Sequence, residues 1–239
     1  MSRNHGLPTL SLFLALAVGI FSTTASAQTF NRTYAVSPDS ADLEVVNQAG
    51  TIRILPGGNV GKIVINARMS EGEAKVDAAQ SAQGKVTVQV TGRGTVDLEI
   101  TAPLATNLDL LCFKCTMLVT NATGPVHARN TDGQILLSGI RSPRVEAHST
   151  KGNVSFGGET LPSGNYTLKS FSGRVDVTLP SGADFKLSAS SYRGGMDLGP
   201  FAFRFDKQSD QLVEAMCGAG RATVSVWTQE GSIHLHRKP

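Results

Sequence analysis

One short phrase recurs through the middle of the chain and constrains the fold more than any other feature. It consists of a largely polar triplet and a glycine followed by alternating apolar residues, and its glycines are Gly133, Gly152, Gly173 and Gly194. These glycines lie 19, 21 and 21 residues apart, and a second alternating apolar run separates successive phrases. Each interval therefore holds two short strands and two turns. The spacing predicts an all-β fold, a β-solenoid in which two-strand coils of about 20 residues stack on one another.

The alternating pattern extends on both sides of these phrases and predicts a single β-solenoid domain over residues 28–239. Two insertions interrupt it, near residues 69–84 and 199–220. In the first insertion, Ser70 and Glu73 match a capping box, and the alanines that follow favour a helix. We therefore expect one short helical insertion, which covers an edge of the stack.

The N-terminal residues 1–27 match a secretory signal peptide. Arg3 supplies the positive charge, residues 10–21 supply an apolar core, and the small residues 25–27 supply a cleavage site before Gln28. The apolar core is too short to cross a bilayer comfortably, and no other long apolar run follows. We expect an exported protein, located in the periplasm, at the cell surface or in the medium, without a transmembrane span after cleavage.

Charge and composition narrow the class of partner. The formal net charge is +3, and it falls to +2 when Arg3 leaves with the signal peptide. Nucleic-acid-binding proteins concentrate Lys and Arg on one surface, whereas the outward positions of this chain mix both signs. With 6% aromatic residues, the chain also lacks the aromatic density of a stacking platform for bases or sugars. No nucleic-acid partner is therefore predicted.

Three parts of the sequence together resemble a known family. They are the repeated phrase, the extended segment 103–110, and the block 220–233 that closes the domain. They are similar to the DUF4097 family of exported bacterial proteins, for which adhesion has been proposed. The resemblance implies a β-helix-like fold in an envelope or secreted protein, with no established catalytic residues. The chain departs from the family in its Cys-Phe-Lys-Cys element at 112–115 and in the aromatic residues at 201–205.

One outward column of side chains is the main candidate for a site. Alternation turns Val175 and Val177 inward, so the residues at the third position after each glycine face outward. This column contains Leu136, Ser155, Asp176 and Asp197, joined by His234 if the insertion at 199–220 loops out. Two carboxylates one coil apart could share a hard cation or act as an acid and base pair, unless Arg174, Lys169 or Lys186 neutralises them. Solvated aspartates on an exposed strand are the plainer interpretation.

The cysteines form a second candidate. Cys112 and Cys115 form a C-x-x-C motif outside the strand-to-helix context of redox-active sites. A zinc site needs four ligands, and Cys217 alone would complete it poorly. The preferred interpretation is a local disulfide between Cys112 and Cys115 at a turn between coils, with a pair of packed thiols as the alternative. Cys217 is then free, unless it is the true partner of one of the other two. No metal or cofactor is predicted.

The pattern as a whole favours a non-enzymatic function. We expect an exported envelope protein, an adhesin or scaffold, that presents its solenoid surface to an unidentified envelope or cell-surface component, either protein or glycan. One alternative is a β-helix enzyme acting on acidic polysaccharide through Asp176 and Asp197. Another is an envelope redox or metal-stress protein that uses the C-x-x-C motif.

Overall fold

A computed structural model describes residues 29–57 and 61–238, and the predicted signal peptide lies outside these residues. All regular elements in the described residues are β-strands. In chain order the strands are β1 (Thr29–Ala35), β2 (Asp42–Pro56), β3 (Lys62–Gln80), β4 (Val86–Ala102), β5 (Asn107–Thr120), β6 (Val126–Asp132), β7 (Ile135–Ile140), β8 (Arg144–Lys151), β9 (Val154–Gly158), β10 (Asn165–Ser172), β11 (Val175–Pro180), β12 (Phe185–Ser191), β13 (Met196–Asp197), β14 (Phe203–Gln208), β15 (Leu212–Cys217), β16 (Ala222–Thr228) and β17 (Ile233–Lys238).

From β6 to β13, and again in β16 and β17, each coil consists of two strands that meet at a corner. One sheet contains β6, β8 and β10 as parallel neighbours, and the other contains β7, β9 and β11. The register places Val126 beside Val145 and Val145 beside Tyr166. Residues about 20 positions apart are therefore vertical neighbours, and the predicted β-solenoid is confirmed.

The core lies between the two sheets, where the inward side chains of successive coils stack. Val175 and Val177 are fully buried, as alternation predicts, and each such side chain contributes about 1.5–3 kcal/mol when it is removed from water. Tyr166 is also fully buried. Its hydroxyl donates a hydrogen bond to the Ser142 carbonyl at 2.9 Å and accepts one from the Leu161 N–H at 2.8 Å. Burial raises the pKa of Tyr166, so this group stays protonated and keeps both bonds.

The coils do not stack in chain order. The coil formed by β16 and β17 lies between the coil β10–β11 and the coil β12–β13. Residues between β13 and β16 form the antiparallel strands β14 and β15, and β15 covers the exposed edge of β12. The last part of the chain then fills the gap between the coils, where both of its edges are paired. The phrase at Gly231 thus lies inside the stack, one coil from its end.

The opposite end of the solenoid is closed in a similar way. The strand β2 lies between β4 and β5, β3 pairs antiparallel with β4, and β1 pairs antiparallel with β3. The predicted helix at residues 69–84 is wrong, because this segment is the second half of β3 and pairs with β4 as far as Gln80. Val76 is buried and Ala74 and Ala78 pack against the core, so the ladder and its burial outweigh the helix preference of alanine.

Candidate binding surface of the solenoid

The corner between the two sheets is built from one repeated pair of residues. A buried polar residue lies three positions before each corner glycine and donates to the corner carbonyl of the neighbouring coil. It is Asn130 before Gly133, which donates to the Cys115 carbonyl at 2.6 Å, and a hydroxyl residue before the other four. The bonds run from Ser149 to Gly133 at 2.9 Å, from Ser170 to Gly152 at 2.8 Å, from Thr228 to Gly173 at 3.0 Å and from Ser191 to Gly231 at 2.9 Å. They satisfy carbonyl groups that the stack removes from water.

The corner glycines stack so closely that a side chain cannot fit. Their order along the solenoid is Gly133, Gly152, Gly173, Gly231 and Gly194. A Cβ atom added at Gly231 would lie 2.1 Å from the carbonyl oxygen of Gly173, and one added at Gly194 would lie 1.8 Å from that of Gly231. The spacing of glycines in the sequence thus reflects main-chain contact between coils.

The C-x-x-C motif occupies the same corner in β5. Cys112 lies between Asn47 and Asn130 in the column of buried polar residues, and Cys115 pairs with Gly50 in the column of glycines. The two sulfur atoms are bonded to each other, and both cysteines are buried. A covalent bond therefore stands where the other coils have a hydroxyl or amide residue and a glycine. The motif lies at a corner within a coil, whereas the sequence analysis placed it between coils.

The third cysteine, Cys217, lies in β15 near the far end of the stack. It is a buried free thiol whose sulfur lies 3.4 Å from the Ala183 carbonyl oxygen. Burial raises the pKa of this thiol, which keeps it in the unreactive protonated form. The structure thus separates Cys217 from the motif in β5.

The disulfide corner of β5 can be converted into the hydroxyl-and-glycine corner of other coils, which tests whether the two are equivalent. The double substitution Cys112→Ser with Cys115→Gly recreates the corner of the other coils, and the new hydroxyl can donate to the Gly50 carbonyl. We expect the fold to persist with a loss of about 1 kcal/mol, since a bridge over so short a loop contributes about 2 kcal/mol and the hydrogen bond returns about 1 kcal/mol. Urea unfolding measures this loss.

The matched control is Cys112→Ala with Cys115→Gly, which removes the bridge without adding a hydroxyl. It should be less stable than the Ser and Gly variant by about 1 kcal/mol. Equal stability of the two variants would contradict the proposed corner hydrogen bond.

The order of residues in the outward column that contains the predicted aspartates differs from the order expected from the sequence. His234 pairs with Asp176 on one side and with Asp197 on the other. The two carboxylates are therefore two strand spacings apart, about 9.6 Å, instead of the single spacing that chain order predicts. The placement of Asp176 and Asp197 one coil apart is wrong, because the coil of β17 lies between them.

The polar groups of this column are already engaged by nearby side chains and main chain. Asp176 is only 15% exposed, accepts from Arg174 Nε at 2.8 Å and lies 3.6 Å from His236 Nε2. Asp197 accepts from the Gly199 N–H at 3.0 Å. His234 Nε2 lies 2.9 Å from the Ser232 hydroxyl. In the residues that the structure describes, no three His, Cys, Asp or Glu side chains are grouped so that they could hold a metal ion.

A groove of about 1050 Å³ lies on the same sheet, beside this column. Leu136, Ser155 and Thr178 line it, and the ion pair between Arg141 and Glu159, at 2.8 Å, lies on its wall. The three predicted site residues Asp176, Asp197 and His234 do not line the groove. The groove thus includes Leu136 and Ser155, at one end of the column, but none of the charged residues of the column.

Two exposed aromatic residues and one half-buried one, from three coils, lie on the other sheet and its corner, and we call Phe171, Tyr192 and Trp227 the aromatic patch. Phe171 is 46% exposed and Tyr192 is 55% exposed. The rings of Phe171 and Trp227 are 6.4 Å apart, and the Arg193 guanidinium carbon lies 5.9 Å from the centre of the Tyr192 ring. Although aromatic residues are sparse overall, the fold concentrates these three at one place.

The complete patch could not be predicted from the sequence alone. Phe171 and Tyr192 each follow the hydroxyl residue of their phrase, so their shared corner position could be read from the sequence. Trp227 joins them only because β16 lies between β10 and β12. That order depends on contacts between distant parts of the chain.

No helix in the described part of the chain has the length and apolar character needed to cross a membrane. The chain is similar to two solved structures. A putative cell adhesion protein from Clostridium sporogenes is 10% identical, with a TM-score of 0.46 over 88% of this chain and 100% of that one. A putative adhesin from Bacteroides fragilis is 11% identical, with a TM-score of 0.38 over 88% of this chain and 98% of that one. None of the curated proteins compared matches the sequence.

The model of the Toastrack DUF4097 family matches residues 119–236, which run from the end of β5 into β17. This match confirms the resemblance that the repeated phrase and the block 220–233 indicate. The matched residues contain all five corner phrases and all of the aromatic patch. Residues 119–236 of this chain therefore match the Toastrack DUF4097 family.

Proposed function

We propose that this chain is an exported, non-enzymatic envelope protein whose solenoid surface binds another envelope or cell-surface component, as an adhesin or scaffold does. The observation that carries the proposal is the aromatic patch. Large aromatic side chains dominate the binding energy of interfaces, and here Phe171 and Tyr192 are held exposed, with the half-buried Trp227, on a stacked, hydrogen-bonded frame. Such a surface needs little ordering before it binds.

The two alternatives gain less support from the geometry. An enzyme acting through Asp176 and Asp197 needs the two carboxylates close together in a groove, but the coil containing His234 separates them and neither lines the groove. A redox function needs accessible sulfur, but Cys112 and Cys115 are 1% and 3% exposed. The geometry therefore favours a binding function over an enzymatic or a redox function.

Co-sedimentation of the mature chain, residues 28–239, with isolated cell envelopes of its own organism tests this function. We expect the wild-type protein to sediment with the envelopes and the double variant Phe171→Thr, Tyr192→Thr to bind at least tenfold more weakly, since each is a candidate hot spot. Threonine already occupies this corner position at Thr131 and Thr150, so the fold should tolerate it.

The matched control is Phe113→Thr. Phe113 is 61% exposed and occupies the same corner position in β5, three coils away from Phe171. It should bind like the wild type. A wild-type protein that stays in the supernatant, or equal binding by all three proteins, would rule the proposal out. N-terminal sequencing of the exported protein, expected to begin at Gln28, tests the export step separately.

A further inference from the structure

A row of basic side chains leads into the aromatic patch along the first sheet. Arg129, His148, Lys169 and Trp227 are successive register partners on β6, β8, β10 and β16. They face outward and lie about 4.8 Å apart, which is the spacing of neighbouring strands. The row therefore runs along the axis of the solenoid, perpendicular to the strands.

Two of the three acidic side chains that border this row have arginine partners, and the third lies near a histidine. Asp109 lies 3.2 Å from Arg129, and Glu146 lies 3.6 Å from His127. At the corner, Glu230 lies 3.0 Å from Arg193. Within residues 29–57 and 61–238, His148 and Lys169 take part in no ion pair. Because Arg129 is paired and histidine is neutral at pH 7, Lys169 is the group in this row whose positive charge no carboxylate of the described residues pairs with.

The groups around the rings define the chemistry of a ligand. An aromatic face packs against the apolar C–H face of a sugar ring. Ser190 pairs with Trp227, and Gln229 follows at the corner, so groups that both donate and accept hydrogen bonds lie next to the rings. Lys169, the other register partner of Trp227, can bind an anionic group. Hydroxyls, an apolar ring face and a negative charge occur together in acidic sugars.

We infer that the aromatic patch and Lys169 bind a linear acidic polysaccharide, whose chain lies along the solenoid axis over the row from Arg129 to Trp227. This inference rests on the proposed binding function and names the class of its ligand. A single-stranded nucleic acid also combines ring faces with negative charge. The small net charge of +3 and the hydroxyl and amide groups beside the rings favour the polysaccharide.

Tryptophan fluorescence provides a direct readout, because Trp227 is the single tryptophan of the chain. The mature protein is titrated with polygalacturonate, dextran sulfate, neutral dextran and an oligothymidylate. We expect one or both acidic polysaccharides to change the Trp227 emission, with an affinity that falls as salt rises. The carboxylated and sulfated polymers identify which anion the site prefers.

Single substitutions separate this site from general charge attraction. Lys169→Gln should weaken binding of the preferred polymer about fivefold to tenfold, and Phe171→Thr at least tenfold. Two controls should leave it unchanged: Phe113→Thr at the distant corner, and Lys75→Gln, which removes an exposed lysine in β3.

The inference is overturned if no acidic polysaccharide changes the fluorescence, if neutral dextran binds equally well, or if oligothymidylate binds more tightly. It is also overturned if Lys75→Gln weakens binding as much as Lys169→Gln does. Envelope co-sedimentation that still depends on the aromatic patch would then show that the binding function stands and only the ligand class is wrong. If the co-sedimentation also does not depend on the aromatic patch, the proposed binding function is wrong as well.

Discussion

Replacing Gly152 by alanine is expected to destabilise the solenoid by about 3 kcal/mol or more, a large part of the 5–15 kcal/mol typical of a folded domain. Gly152 has φ +145°, a conformation that other residues rarely adopt. An added Cβ atom would lie 2.2 Å from the carbonyl oxygen and 2.5 Å from the carbonyl carbon of Gly133. Because both are main-chain atoms, the two coils must move apart to relieve the contact.

Thermal unfolding measures this effect, and a loss of 3 kcal/mol corresponds to about 10 °C in a domain of this size. The control is Gly182→Ala, because nothing lies within 4 Å of a Cβ atom at Gly182. That variant should melt close to the wild type. If Gly152→Ala and Gly182→Ala have the same melting temperature, the glycine spacing does not reflect close stacking of the corners.

Val177→Asp is expected to prevent folding of the central coils. Val177 is fully buried, between its register partners Phe156 and Leu235. A carboxyl group placed there has no partner, so the charged form costs about 3–5 kcal/mol and the protonated form still leaves a buried polar group. The measurement is the free energy of unfolding in urea, or the yield of folded protein if the variant does not fold.

Thr178→Asp is the matched control, because Thr178 is the next residue on β11 and faces outward. Its free energy of unfolding should stay within about 0.5 kcal/mol of the wild-type value. Similar losses in the two variants would contradict the assignment of inward and outward faces. If Val177→Asp left the free energy of unfolding unchanged, the assignment of Val177 to the buried core would be wrong.

Local patterns predicted the structure within a coil, and non-local contacts decided the rest. Alternation placed Val175 and Val177 inward because the two faces of a strand differ in burial. By contrast, the phrase at Gly231 has the same pattern as its neighbours, so its spacing could not show that it lies between Gly173 and Gly194. The helix predicted at Ser70 failed for a related reason, since its local preference competes with pairing to a distant strand.

The same limit applies to the candidate sites. Asp176 and Asp197 are neighbours in the repeat but not in space, because a coil from the end of the chain separates them. That coil also brings Trp227 between the coils of Phe171 and Tyr192. One feature of the topology therefore separates the predicted acidic pair and assembles the aromatic patch.

The order of the corner glycines tests this account most directly. In the nuclear Overhauser spectrum of the isotopically labelled mature protein, Gly173 should show contacts with Gly152 and with Gly231, and Gly231 should also show contacts with Gly194. Gly173 and Gly194 should show none, because a whole coil lies between them. Direct contacts between Gly173 and Gly194 would mean that the coils stack in chain order, and the aromatic patch would not exist.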